Sequence, residues 1–183
     1  LILSNMFGPA GLARFFVTQN TTNTLAQLLQ MGLAYTGMTF AARYHAQDAS
    51  YAKAIITFCQ SWVFGVATLA SIAAALASQQ IAAHIYGDDQ LVSFLVLACI
   101  ATPFTAIALV QVSVLNGLEH YGSIFLGSLT SAGFMLGASV LGASVWGPWG
   151  AAAGFTLSAI FRATVLQWHI WRRQGSVAKK DVG

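Results

Sequence analysis

From 120 through 161 the chain carries no Asp, Glu, Lys or Arg, and three more such runs precede it, at 15–42, 54–87 and 90–118. A helix of a soluble protein keeps a polar or charged face toward water. Runs of this length leave no such face. A membrane-spanning helix needs about 20 mostly apolar residues. The chain therefore reads as an all-α integral membrane protein. Its composition agrees: of 183 residues, 57% are apolar and 7% charged, against roughly 25% charged in soluble domains.

Five transmembrane spans are expected, at about 15–42, 54–77, 91–115, 123–145 and 149–171, making 15–171 one transmembrane region. "RYHAQDASYAK", "HIYGDDQ" and "NGLEHYG" separate the first four. The run at 120–161 must hold two helices, and "GPWG" at 147–150 is the turn between them, because Gly and Pro break helices and start turns. The opening "LILSNMFGPAG" is too short to span and lacks the layout of a signal peptide. Residues 1–14 look like the last turns of a truncated preceding helix and an external loop, so the chain is expected to be a fragment.

Orientation follows from Lys and Arg, which accumulate on the cytoplasmic side. Alternating loops place Arg43, Lys53, Arg172, Arg173, Lys179 and Lys180 on one side, and Arg14 alone on the other. The N-terminal end is expected outside and the basic tail 172–183 in the cytoplasm, in a multi-pass protein of the inner (cell) membrane. Trp146 and Trp149 mark the outer interface, Trp168 and Trp171 the inner one. From Trp149 to Trp168 is about 28 Å at about 1.5 Å per residue, which matches a hydrocarbon thickness of about 30 Å. The net charge of +3 comes largely from the tail. It points to anionic membrane lipids as partners, not nucleic acid.

Signals for catalysis and cofactors are missing. There is no Walker-type loop, GxGxxG, CxxC or GxSxG. Cys59 and Cys99 are isolated within spans and read as small apolar residues. His45, His84, His120 and His169 show neither HxxxH nor HExxH spacing, so no metal site is expected. Asp48, Asp88, Asp89, Glu119 and Asp181 all lie in loops or the tail. No carboxylate sits inside a span, which argues against a proton relay within these helices. No catalytic residue and no cofactor is expected, and the chain is read as not an enzyme.

The polar residues inside the spans are more informative. Gln19, Asn23, Gln27 and Gln30 fall on one narrow stripe at 100° per residue. Amides facing lipid would lose their hydrogen bonds. The stripe must face other helices, as interhelical glue, or a water-filled cavity. Thr18, Thr22, Thr36 and Thr39 add hydroxyls elsewhere. Pro103, mid-span, is a kink and a hinge candidate. Gly133 and Gly137 stand in GxxxG spacing and predict close helix packing. In the last span Gly150, Gly154 and Ser158 recur every four residues, and the next step is Arg162. That places a permanent cation beside a small-residue face, in the inner half of the membrane. It could snorkel to the interface, hold an anion, or make a structural contact with backbone.

Four stretches carry a resemblance. "GPAGL", "AARYHAQDASYAKAI", "LNGLEHYG" and "GPWGAAAGFTLSAIFRAT" resemble, in order and spacing, the polysaccharide and O-antigen flippases of the multidrug, oligosaccharidyl-lipid and polysaccharide exporter superfamily. The resemblance covers nearly the whole chain. It implies that the five spans are helices two to six, in the N-terminal lobe of a two-lobed bundle whose remaining half is missing here. One departure is the turn holding Glu119 and His120, a place often basic in relatives. The resemblance further implies the cargo, an oligosaccharide on a polyprenyl diphosphate, flipped from inner to outer leaflet for surface polysaccharide synthesis. Amides would meet sugar hydroxyls and arginine the diphosphate. The substrate-cavity candidates are thus Arg162, Gln19, Asn23, Gln27, Gln30 and Arg14. A drug or metabolite exporter of the same superfamily and a membrane-embedded transferase are the alternatives.

The charge asymmetry makes the first prediction. Single cysteines at Ser176 and Gln90 of the full-length protein, exposed to an impermeant thiol reagent in intact cells, should label at Gln90 only. Labelling at Ser176 alone reverses the orientation.

Overall fold

A computed structural model describes residues 2–30, 32–44, 49–86 and 90–177. His45, Asp48, Asp88, Asp89 and the tail from 178 onward, with Lys179, Lys180 and Asp181, lie outside the described residues. Five helices follow in order: α1 (Ile2–Leu29), α2 (Leu33–Tyr44), α3 (Ala49–Ile81), α4 (Leu91–Gly117) and α5 (Tyr121–Val177). A short π-helical turn, Ala82–Tyr86, ends α3.

Three stretches are long and apolar enough to cross a membrane: Ser50–His84, Leu91–Gly117 and Tyr121–Arg172. Their outward faces are apolar. Leu76 is 82% exposed and Leu141 69%, an inversion of what water would tolerate over so large a surface. Length, apolarity and outward-facing leucine together make the chain a helical membrane protein.

Two Gly-Pro dipeptides break helices by the same device. Gly8 precedes Pro9 with φ 66°, and Gly147 precedes Pro148 with φ 63°. Glycine reaches the left-handed region at little cost. Proline then opens the next helix, where its missing N–H is not needed. At Gly147 the break folds α5 into a hairpin, with a first leg at 121–145 and a second at 148–177. A Cβ on Gly142 would collide with the carbonyl oxygen of Gly150, and one on Gly154 with that of Ala138. Farther from the turn, the rings of Phe134 and Phe161 stack at 4.4 Å. The legs are antiparallel and in close contact, as the "GPWG" turn predicted.

The expected first span is not one helix. The chain breaks between α1 and α2, where Gly32 adopts φ 74° and the Leu33 N–H bonds back to the Gln30 carbonyl at 2.8 Å. A left-handed glycine ends a helix because the next N–H turns back onto the last carbonyls. The direction persists through the break. Arg14, Thr18 and Thr22 meet Gln90, Phe94 and Ala98 at a constant offset of 76. Beyond the break, Gly117 touches the Met38 backbone. So α1 and α2 both run parallel to α4. The second leg of α5 does too, since Thr156 bonds the Leu97 carbonyl and Gln111 bonds Gln167. Neither α1 nor α2 is among the three membrane-length stretches.

The helix α4 is the centre of the bundle and touches all the others. Val110, Gln111, Val114 and Leu115 on it are fully or almost fully enclosed. Its partners present small residues, among them Ala26, Ala41, Ala67, Ala151 and Ala152, which let backbones approach. Pro103 is buried within α4, which remains helical throughout. The GxxxG expectation fails. A Cβ placed on Gly133 or Gly137 would meet nothing within 4 Å, whereas Gly117, Gly142, Gly150 and Gly154 sit against backbone. The spacing is that of a contact, but the hairpin turn rotates 133 and 137 to the outside.

Gly142→Val should therefore wedge the hairpin apart, at a cost of about 1–3 kcal/mol for an overpacked contact. Gly133→Ala should stay within about 0.5 kcal/mol of the parent. Thermal unfolding of the detergent-solubilised protein compares them, and equal melting temperatures would contradict the hairpin contact.

A candidate anion site around Arg162

Arg162 lies on the second leg of α5, one turn beyond Ser158. Around it is a cavity of about 230 Å3, walled by Asn23 of α1, Thr105 of α4, Ser128 and Ser131 of the first leg, and Ser158. The hairpin and the parallel docking of α1 on α4 bring these four segments together. No carboxylate lines this cavity. Arg162 is half-buried, and its Nε is buried with no hydrogen-bond partner among the described residues.

Three of the wall hydroxyls already donate their protons within their own helices. Thr105 donates to the Ala101 carbonyl at 3.0 Å, Ser131 to Gly127 at 2.5 Å and Ser158 to Phe155 at 2.7 Å. Such back-bonding is usual for hydroxyls inside apolar helices. What remains to donate is the guanidinium, the Asn23 amide and the Ser128 hydroxyl. A guanidinium carries five N–H donors and accepts nothing. The arrangement suits an anion with several oxygens.

The direction of Arg162 bears on whether it snorkels. Side chains on a helix lean toward its N-terminus. The second leg runs from the turn at Trp146 and Gly147 toward Trp168, so the Cα–Cβ bond of Arg162 tilts back toward the turn, away from the nearer interface. Asn23 stands level with 157–158, because Thr22 meets Ala98 while Thr156 meets Leu97. The cavity extends from the level of Asn23 past Arg162 to Ser128, whose neighbour Gly127 faces Leu166.

The other sequence-derived candidates separate. Of the amide stripe, only Asn23 reaches the Arg162 cavity. Asn23 and Gln27 are exposed, and Gln19 and Gln30 half-buried. Gln30 sits at the break after α1. The glue between α1 and α4 is made instead by the neighbouring face, where Thr18 and Thr22 are fully buried and bond the Phe94 and Ala98 carbonyls. Arg14 is held elsewhere, its guanidinium donating to Gln90 Oε1 at 2.7 Å, about 14 Å along α1 from Asn23 at about 1.5 Å per residue.

Ser128 and Ser131 are cavity residues that sequence reasoning missed. Their signal was a pair of hydroxyls three apart on a leg without charge. At the far end of the bundle, Glu119, His120, His169 and Arg172 line a wider opening of about 780 Å3. There Arg172 stacks over the Trp168 ring at 4.4 Å.

No family model, curated protein or solved structure matches this chain.

The packing predicts a sharp pattern of accessibility. In a cysteine scan from Thr18 to Gln30 of the full-length protein, Asn23 and Gln27 should react with a water-soluble thiol reagent. Thr18, Thr22 and Ala26 should be protected. Protection of Asn23 and Gln27 as well would leave the stripe as packing alone.

Proposed function

We propose that this chain is part of a membrane transporter that carries an anionic, hydroxyl-rich lipid headgroup, with a lipid-linked oligosaccharide on a polyprenyl diphosphate as the cargo, from the inner to the outer leaflet. The observation that carries the reading is the Arg162 cavity. A cation without a carboxylate beside it, with a buried unpaired N–H, is costly in an apolar bundle. It is best explained by an anionic guest. Diphosphate oxygens would accept the guanidinium's donors, and Asn23 would meet hydroxyls.

In this reading the broken α1–α2 pair, α3, α4 and the two legs of α5 make five crossings. They belong to one lobe of a two-lobed exporter of the polysaccharide flippase type, with the Trp146 end outside and the Arg172 end in the cytoplasm. The exposed amides Asn23 and Gln27 would then face the second lobe across a polar passage. Packing of α1, α4 and the second α5 leg in parallel supports that alternation of sides. A drug or metabolite exporter of the same superfamily is the runner-up. It would place its own ionisable groups in the half of the molecule outside this chain.

Substitution at Arg162 tests the reading. Arg162→Lys keeps the charge but loses the planar fork, and should retain partial transport. Arg162→Gln and Arg162→Leu should abolish transport without lowering membrane abundance, since insertion scales charge about 2.5–3.5 kcal/mol for a mid-helix arginine and its removal favours insertion. Complementation of surface polysaccharide in cells expressing the full-length protein reads this out. Near-normal polysaccharide from Arg162→Leu would remove the anion site and the main support for the flippase.

A further inference from the structure

We infer that a second groove, on the side of α4 away from Arg162, binds the headgroup of a neutral, hydroxyl-bearing lipid at the level of Trp168 and Trp171. The groove encloses about 590 Å3 between α3, α4 and the second leg of α5. It shares no lining residue with the Arg162 cavity, so it stands apart from the transport reading. On the second leg, Ala163, Thr164 and Gln167 line it, on the face opposite Arg162 at about 100° per residue.

Its polar part is a set of buried amides with unmet capacity. Gln60 is 7% exposed and Gln111 1%. The Gln111 amide nitrogen donates to Gln167 Oε1 at 2.8 Å, which leaves Gln111 Oε1 buried and unpaired, as is Gln60 Nε2. Unmet buried donors and acceptors are unfavourable. Rotating the Gln111 and Gln167 amides together exchanges oxygen for nitrogen, but one unpaired atom remains at Gln111. A hydroxyl fits either setting, because it both donates and accepts. A phosphate only accepts and an ammonium only donates. No charged side chain lines the groove, so it holds nothing to neutralise an ion. A neutral group with several hydroxyls is the chemistry that matches.

The surroundings say that the group arrives on a lipid. Phe64 and Phe104 pack edge to face at 5.9 Å in the groove wall, and Trp168 and Trp171 form its rim. The apolar surface continues outward along the rim, where Phe64 is 37%, Trp168 49% and Trp171 66% exposed. An acyl chain can lie along that surface while the headgroup reaches the amides. The depth agrees. Gln111 is about 9 Å from the end of α4 at Gly117, and Gln60 about 10 Å from Lys53, by the helical rise. Both lie just below the level at which Trp and Tyr usually mark the interface.

Native mass spectrometry of the full-length protein, released from a polyoxyethylene detergent, tests the site with three lipids at equal concentration: monoglucosyl-dioleoylglycerol, dioleoylglycerol and dioleoyl-phosphatidylcholine. The glucosyl lipid should be retained most and phosphatidylcholine least. Gln60→Leu and Gln111→Leu should each cut glucosyl-lipid retention about five-fold, the scale of one lost hydrogen bond, with phosphatidylcholine unchanged. Trp171→Ala, at a 66% exposed rim position, should cut it as well and serves if the glutamine variants fail to fold. Equal retention of the three lipids overturns the inference. So does glucosyl-lipid retention that all folded variants preserve, or full displacement by free maltose, which would make the site one for soluble sugar.

Discussion

Thr18 and Thr22 each share one hydroxyl proton between two carbonyls, one on their own helix and one across the seam on α4. Thr18 bonds Arg14 and Phe94, and Thr22 bonds Thr18 and Ala98. In a medium without water, a hydroxyl on an apolar helix must find such partners. The seam fixes α1 beside α4 in register and in the same direction. From that register follow the level of Asn23, the walls of the Arg162 cavity, and the side on which the amide stripe is left uncovered. If the seam slipped by one helical turn, Asn23 would leave the cavity.

Close backbone approach does elsewhere in the bundle what the hydroxyls do here. Gly117 lies against the Met38 backbone, and Gly142, Gly150 and Gly154 let the two legs of α5 touch. The bundle gains little from excluding water, because its outer faces remain apolar. Contact and interhelical hydrogen bonds hold it instead. The same physics explains the two polar openings on α4. Where an amide or a guanidinium is turned inward and left partly unpaired, the fold carries a group with unmet hydrogen-bonding capacity. Arg162 is such a group on one side, and Gln60 and Gln111 are such groups on the other, with different chemistry: a cation against neutral amides.

The helical class, the apolar outer surface, the hairpin at "GPWG" and the place of Arg162 beside Ser158 were all legible in the residues. Charge-free runs admit only helices whose backbone bonds are internal, and a Gly-Pro pair stops a helix wherever it falls. Arg162 stood out because one cation in an apolar span has few explanations. Local chemistry decides each of these, so no knowledge of neighbours was needed.

What only the tertiary structure decided concerns which face meets which. The stripe of Gln19, Asn23, Gln27 and Gln30 is a property of one helix, but the packing of α1 on α4 through Thr18 and Thr22 chose the face beside it for burial. Gly133 and Gly137 had the spacing of a contact and turned outward, since the phase of each leg is set at Trp146 and Gly147 and not by the spacing itself. The break at Gly32 was hidden in an uncharged run, because a glycine inside an apolar stretch is helical or left-handed according to what its neighbours allow. Gln60, Gln111 and Gln167 lie far apart in the chain and share no motif. Their meeting depends on three helices crossing at one depth, which periodicity within any single helix does not encode.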